Sequence, residues 1–79
     1  MNQLPSEEEY LQQIGNRLRQ LRKQKGYTNY EKFAFEHNIS SSQYARYELG
    51  KDIRMSTFLK VLNALDVTPQ EFFAEGFWV

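Results

Sequence analysis

The sequence predicts an all-α domain, for three reasons. Apolar residues recur three and four positions apart, the spacing that forms one face of a helix. Ser, Thr and Asn precede several of these segments, as N-cap residues do. The alternating apolar runs are short and lack hairpin turns between them, so no strand is predicted. A chain of 79 residues is expected to form one domain over residues 1–79 with a small core.

The first helix is predicted to begin after Ser6, because Ser6 and Glu9 have the spacing of a capping box. Three glutamates near its start suit the helix dipole and make residues 1–10 an acidic N-terminal extension. Gly26 ends this helix, as glycine commonly does. Its apolar face carries Leu11, Ile14, Leu18 and Leu21.

The second helix is predicted to begin near Thr28 or Asn29. Thr28 has Glu31 at capping-box spacing, whereas Asn29 is a rival N-cap, and the sequence leaves both open. The helix ends at Asn38. The turn there needs a backbone with positive φ, which Asn tolerates better than any residue except glycine.

The third helix has Ser40 as its predicted N-cap and Gln43 at the third helical position, which predicts a further capping box. It runs to about Glu48 and stops at Gly50. Its inward stripe consists of Ile39, Tyr44 and Tyr47. Its outward side carries Ser41, Ser42, Gln43 and Arg46.

The last two helices follow a loop from Lys51 to Arg54. The fifth helix has the clearest start, with Thr68 as N-cap, Pro69 at the first helical position and Glu71 at the third. It ends at Gly76, which begins an apolar tail over residues 76–79. The fourth helix carries Met55, Phe58, Leu59, Leu62 and Leu65 at helical spacing.

Composition argues against an enzyme, a metal site or a cofactor site. There is no cysteine, no glycine-rich phosphate loop and no cluster of metal ligands. The single histidine, His37, is expected to be partly buried and hydrogen-bonded beside Phe33 rather than catalytic. No apolar run approaches the ~20 residues of a membrane span. The N-terminus lacks the order of a signal peptide, so the expected location is the cytoplasm.

The charge is unevenly distributed although the net charge is zero. Residues 11–60 hold ten basic and four acidic side chains, and both ends are acidic. A locally basic surface favours a nucleic-acid partner, because steering responds to the local field. The alternative left open is an ordinary solvated helix face formed by Arg17, Arg19, Arg22, Lys23 and Lys25.

The second and third helices and their turn have the layout of a helix-turn-helix, which places its second helix in the DNA major groove. Short side chains near the start of that helix let the backbone enter the groove, and longer ones reach base edges. One cap suffices to start a helix, so a run of serines followed by an outward arginine favours function. The predicted base contacts are Ser41, Ser42, Gln43 and Arg46.

Phosphate contacts are expected on both sides of the reading helix. The start of the second helix offers backbone N–H groups, with the side chains of Asn29 and Tyr30 beside them. Lys51 and Arg54 lie in the loop that follows the third helix. Each is an ordinary surface residue alone, and the prediction depends on their bracketing one helix.

These segments together resemble the phage-repressor family, the lambda-repressor and Cro-like or XRE-type helix-turn-helix proteins. The resemblance runs from about Ile14 to Phe73 and rests on IGNRLRQLRKQKG, KFA, ISSSQYARYELGK and FLKVLNALDVTPQEFF. It implies a compact five-helix fold in a bacterial, DNA-associated protein, with the third helix as the reader. It also implies that Ser41, Ser42 and Arg46 occupy base-contacting positions. Arg22 and Glu48 match a pair that usually joins helices one and three.

Three departures from the family pattern affect these expectations. Tyr30 stands where the family commonly has a phosphate- or base-contacting Gln, one residue is added after Gly26, and His37 replaces an aliphatic residue. Base reading by the second helix is therefore not expected, although Tyr30 can still donate its hydroxyl to a phosphate. Arg54 falls near a position where the family often caps the fourth helix.

The sequence favours a sequence-specific transcriptional regulator of double-stranded DNA, acting as a homodimer. An apolar patch supports the dimer: Phe72, Phe73, Phe77 and Trp78. The alternative left open is that Phe72 and one residue of the tail simply close the core of a small domain. Two alternatives stay open. One is an antitoxin that binds both DNA and a toxin, and the other is a protein-interaction module that has lost DNA binding.

Overall fold

A computed structural model describes residues 3–75 and residue 77, and within that part it contains helices and no strand. The predicted all-α class with five helices is confirmed. The helices are α1 (Glu7–Gln24), α2 (Tyr30–Glu36), α3 (Ser41–Glu48), α4 (Met55–Leu65) and α5 (Pro69–Ala74). The predicted end of the fifth helix at Gly76, and most of the tail over residues 76–79, lie outside the described residues.

The N-caps explain where most of these helices begin. Both halves of the capping box are present at Ser6, which caps α1, and at Thr68, which caps α5. Asn29, not Thr28, caps α2, because its Oδ1 accepts from the backbone N–H groups of Glu31 at 2.7 Å and Lys32 at 3.3 Å. Arg54 stands at the N-cap of α4 without a side-chain cap hydrogen bond.

The capping box predicted at α3 is only half formed. Ser40 Oγ accepts from the backbone N–H of Gln43 at 3.4 Å, but the reciprocal bond from Ser40 N–H to the Gln43 side chain does not form. The physical reason is competition within the helix, because Gln43 Oε1 instead accepts a hydrogen bond from the Tyr47 hydroxyl at 3.0 Å. The prediction of a reciprocal box was therefore wrong.

The turn between α2 and α3 follows a Schellman motif. Asn38 has φ of 58°, its N–H donates to Phe35 O at 3.3 Å, and Ile39 N–H donates to Ala34 O at 2.8 Å. The left-handed residue turns the chain sharply, and Ile39 and Ala34 are both buried beneath the turn. Lys60 Nζ donates to Asn38 O at 2.6 Å and ties this turn to α4.

The core lies where α3 packs against both α1 and α2, and extends to α4 and α5. Aromatic rings connect its parts: Phe33 lies 5.2 Å from Tyr44, and Phe58 lies 5.1 Å from Phe72 between ring centroids. The largest fully buried side chains are Tyr44, Phe33, Phe72, Leu18, Leu62 and Val61. The inner side of α3 is therefore backed by the centre of the domain.

Gly15 allows α1 and α3 to approach closely, a role that the sequence analysis did not predict. A Cβ added to Gly15 would lie 2.6 Å from Tyr47 O and 2.7 Å from Glu48 O. Both are backbone oxygens at the end of α3, so they cannot move aside without shifting the helix. The contact sets the distance between the two helices.

Three expectations about side chains need correction. Met55 and Leu59 share the helical spacing of the buried residues of the fourth helix, but they are 67% and 42% exposed because they lie beside the core-facing stripe. His37 is half-buried as expected, but the expected hydrogen bond is absent at Nε2, which has no partner within residues 3–75 and 77. The rings of Phe33 and Tyr27 flank the imidazole instead. Arg17 and Arg22 are buried, so the basic residues of α1 are not one solvated face.

Candidate nucleic-acid interface

The outer face of α3 carries exposed polar side chains on a helix whose inner face is buried. Ser42, Gln43 and Arg46 are exposed, and Ser41 is half-buried. The inner face packs against the core, where Tyr44 is fully buried and Tyr47 is 8% exposed. The four residues predicted to contact bases thus lie on one helix, and three of them present their side chains to solvent.

The first turn of α3 orders its serines through one hydrogen-bond chain. Ser40 Oγ accepts from Gln43 N–H and lies 3.2 Å from Ser42 Oγ. Ser42 is therefore held close to the helix start, and its hydroxyl retains a further donor or acceptor function. Ser42 and Gln43 therefore lie together at the N-terminal end of α3.

A buried ion pair anchors the other end of α3 to α1. Arg22 Nε lies 2.7 Å from Glu48 Oε2, and Arg22 Nη2 lies 3.0 Å from Glu48 Oε1, so the contact is bidentate. Arg22 Nη1 also donates to Tyr27 O at 2.8 Å. Arg19 Nε lies 3.6 Å from Glu48 Oε1 and is half-exposed. Glu48 therefore holds two arginines against the C-terminal end of α3.

The charges around Glu48 favour its ionised form. Burial acts to raise the pKa of the Glu48 carboxyl, but the hydrogen bonds from Arg22 and the charges of Arg22 and Arg19 hold that pKa below its ordinary value. The hydrogen bond to Glu48 raises the pKa of Arg22 against the opposing effect of burial. Burial, with the nearby Glu48 carboxylate, also raises the pKa of the Tyr44 hydroxyl. The pair is therefore charged and Tyr44 is neutral near pH 7.

The predicted phosphate contacts occupy two different settings. Lys51 and Arg54 are exposed in the loop between α3 and α4. Asn29 is exposed, but its side-chain oxygen caps α2 and takes the Glu31 and Lys32 N–H groups that were expected to face a phosphate. Donors at this helix end that take no part in the cap include the Asn29 amide NH₂ group and the Tyr30 hydroxyl. Tyr30 itself is half-buried against the core.

Other basic side chains are committed to contacts within the domain. Arg17 Nε donates to Phe72 O at 3.2 Å, which fastens α1 to α5. Lys25 pairs with Asp66, and the hydrogen bond holds the pKa of Asp66 below its ordinary value. The role of Arg17 was missed, although it follows Ile14 by three residues and precedes Leu21 by four. That spacing places it on the apolar face of α1.

The patch predicted for dimerisation is rearranged in the structure. Phe72 is fully buried and belongs to the core, so it cannot form an interface; its position at the centre of α5 explains this. Phe73 is 46% exposed, and Phe77 is half-buried with its ring centroid 4.8 Å from that of Phe73. Trp78 lies outside the described residues.

Phe73 lines an apolar groove that the sequence analysis did not predict. The groove has a volume of about 440 Å³ and lies between α1, α4 and α5. Its exposed lining includes Met55 and Leu59, which explains why these two residues of the fourth helix are not in the core. Leu11 and Ile14 form its wall on α1.

The described residues contain no group of side chains that could hold a metal ion. Among the same residues, no helix is long and apolar enough to cross a membrane.

Comparison with known proteins gives one finding. A family model described as helix-turn-helix matches residues 18–72, a span that runs from within α1 to within α5 and includes all of α2, α3 and α4. No match was found among curated proteins or among solved structures.

Proposed function

We propose that this chain is a sequence-specific transcriptional regulator. The premise is that it belongs to the helix-turn-helix family of the lambda-repressor and Cro-like (XRE) type. In this proposal α3 lies in the major groove of double-stranded DNA in the bacterial cytoplasm. The observation that carries it is the exposure of Ser42, Gln43 and Arg46 on a helix whose inner face is fully buried. Their exposure supports base contact, because core packing does not require these side chains.

The side chains of α3 suit different contacts. Arg46 is long enough to reach a base edge and can bind guanine O6 and N7 together, which is worth about 1–3 kcal/mol of discrimination. Ser41 and Ser42 are short, so they let the helix backbone approach the groove. Gln43 lies between them and Arg46 and can reach a neighbouring base. Four residues of one helix thus supply both close approach and readout.

Phosphate contacts then bracket the reading helix. Lys51 and Arg54 lie after α3, and the Asn29 amide and the Tyr30 hydroxyl lie at the start of α2. The logarithm of the binding constant falls linearly with the logarithm of the salt concentration, and each phosphate that a Lys or Arg neutralises steepens that slope by about 0.9. We expect these contacts to supply affinity without base preference.

Two copies are proposed to bind together. A second copy on a two-fold site would double the number of base contacts that one reading helix makes, and with it the free energy that separates specific from non-specific binding. The apolar groove offers a surface for a second copy, because Met55, Leu59 and Phe73 are exposed there together. Half-sites would lie about 34 Å apart, one turn of DNA.

Selection of bound sequences from a random DNA pool at two salt concentrations tests the regulator. A consensus with two-fold symmetry is expected. Arg46→Ala should relax base preference at one position in each half-site, with binding otherwise kept. Lys51→Ala is the matched control, since it should weaken binding to all sequences alike and reduce the salt slope by about one. Binding that does not respond to salt would contradict the phosphate assignments.

Sedimentation measurements with groove variants test the second copy. Leu59→Glu places a charge in the groove and should give a monomer with reduced affinity for a two-fold site. Phe35→Glu is the control, because Phe35 is 82% exposed on α2 and does not line the groove. A monomeric wild-type protein would contradict the dimer.

The groove also favours a second class of partner. A toxin bound there would make the chain an antitoxin, and a chain that binds protein but selects no DNA sequence would be an interaction module. Co-purification of a partner whose binding Leu59→Glu abolishes, combined with the DNA selection, separates these cases from the homodimer.

A further inference from the structure

A hydrogen bond inside α3 connects a core residue to a proposed base-reading residue. The Tyr47 hydroxyl donates to Gln43 Oε1 at 3.0 Å, across one helical turn. Tyr47 is only 8% exposed, and its ring packs edge-on to Tyr44 with centroids 6.4 Å apart. Gln43 is exposed. Packing therefore fixes the Tyr47 ring, and its hydroxyl in turn fixes the orientation of the exposed Gln43 side chain.

The orientation matters because the two branches of a Gln amide have opposite hydrogen-bonding functions. The carbonyl oxygen accepts, and the NH₂ group donates. Adenine is read in the major groove by using both branches at once, accepting from N6 and donating to N7. In α3 the oxygen is turned back towards Tyr47, so the NH₂ branch points away from it. The side chain then presents its donors to a partner, while its oxygen, which keeps one free lone pair, is aimed at Tyr47 instead of at that partner.

We propose that Tyr47 is a positioning residue that sets Gln43 to read a base edge made of hydrogen-bond acceptors. Guanine, with N7 and O6, and thymine, with O4, offer such an edge, whereas adenine requires the Gln oxygen to face the base beside the NH₂ group, and here that oxygen faces Tyr47. This inference rests on the proposed DNA-binding function and specifies what one position of the reading helix selects. Tyr47 itself touches no base, since it lies in the core.

Tyr47→Phe tests the proposal because it removes only the hydroxyl and keeps the ring in the core. Selection from random DNA with the wild-type protein is expected to give guanine or thymine at one position. Gln43→Ala identifies that position, because it abolishes the preference there. Tyr47→Phe should raise the selection of adenine relative to guanine or thymine there by about fivefold or more, the lower end of the discrimination by a bidentate contact. The positions lost in Arg46→Ala should not change.

Tyr44→Phe is the matched control. It removes the hydroxyl of a buried tyrosine in the same helix, and that hydroxyl makes no hydrogen bond to Gln43. Its base preference should equal that of the wild type. Thermal unfolding of each variant shows whether the fold is kept, and combining Tyr47→Phe with Gln43→Ala should add no further change in preference.

Two results would overturn the inference while leaving the proposed function intact: selection of adenine by the wild type at the Gln43 position, or an unchanged preference in Tyr47→Phe. A wild-type protein that selects no sequence at any position would instead overturn the regulator itself, and this inference with it.

Discussion

Replacing Glu48 by Gln tests how much the reading helix depends on its anchor to α1. Arg22 and Glu48 are 4% and 6% exposed, and their two hydrogen bonds measure 2.7 and 3.0 Å. The substitution keeps the shape of the side chain and one oxygen for hydrogen bonding. It removes the charge, so the Arg22 guanidinium stays buried without a counter-ion.

The expected loss in the free energy of unfolding is about 3 kcal/mol. Breaking a buried pair from one side costs roughly 3–5 kcal/mol, and the lower end applies because Gln retains one acceptor. A domain of 79 residues has a total stability of about 4–12 kcal/mol, so the loss is a large fraction. The melting temperature should fall by about 12–24 °C, at roughly 4–8 °C for each kcal/mol.

Companion variants separate the charge effect from lost packing. Arg22→Met should cost less than Glu48→Gln, because Arg19 at 3.6 Å from Glu48 can partly replace the missing cation. The double variant Arg22→Met with Glu48→Leu should recover to within about 1 kcal/mol of the wild type, since paired apolar replacements of buried ion pairs are often neutral.

Urea unfolding at pH 7, followed by circular dichroism, measures these differences. The slope of the free energy against urea should be unchanged, so that the shifted midpoint reports stability alone. A loss below about 1 kcal/mol for Glu48→Gln would match an exposed ion pair and refute the reasoning.

Three further predictions concern the same framework. The free energy of unfolding should fall as the pH drops below about 4.5, the ordinary pKa of Glu48. The pKa of Glu48 is depressed in the folded state, so the stabilisation by its ion pair is lost as the carboxylate takes up a proton. Urea midpoints measured at several pH values should therefore show a smaller loss of stability at acid pH in Glu48→Gln. Gly15→Ala should destabilise by about 1–3 kcal/mol in urea unfolding despite the better helix propensity of Ala, and a more stable variant would contradict the close contact. Asn38→Ala should be less stable than Asn38→Gly by about 1–2 kcal/mol in the free energy of unfolding, since φ is 58° there. Equal urea midpoints for the two variants would show that the turn is not left-handed.

Features set by local interactions were predictable from the sequence. The capping boxes at Ser6 and Thr68, and the left-handed Asn38, depend on residues within three or four positions of each other. The helices and their order follow from the same local patterns. The choice between Thr28 and Asn29 stayed open because both have good cap chemistry, and only the path of the chain decides which one begins α2.

Contacts between helices were not predicted from local patterns, and the Arg22–Glu48 pair was expected only through the family resemblance. Gly15 has a special role only because α3 crosses it closely, and Met55 and Leu59 have the spacing of core residues but line the open groove between α1, α4 and α5. Arg17 and Gln43 show a different limit. Helical spacing placed Arg17 on the apolar face and Gln43 one turn before Tyr47, but charge and capping preferences suggested other roles. Spacing was the stronger signal in both cases.

The polar contacts of α3 divide according to the side of the helix from which they come. On the inner side, Glu48 binds Arg22 and Gly15 lets α1 approach, so the end of the helix is fixed to the domain. On the outer side, Ser42 and Arg46 remain exposed to solvent. Gln43 is the exception, because its oxygen faces inward to Tyr47 while the side chain is exposed. A change in the core at Tyr47 is therefore expected to alter base preference with little loss of affinity, whereas a change at Glu48 should lower stability and leave preference unchanged.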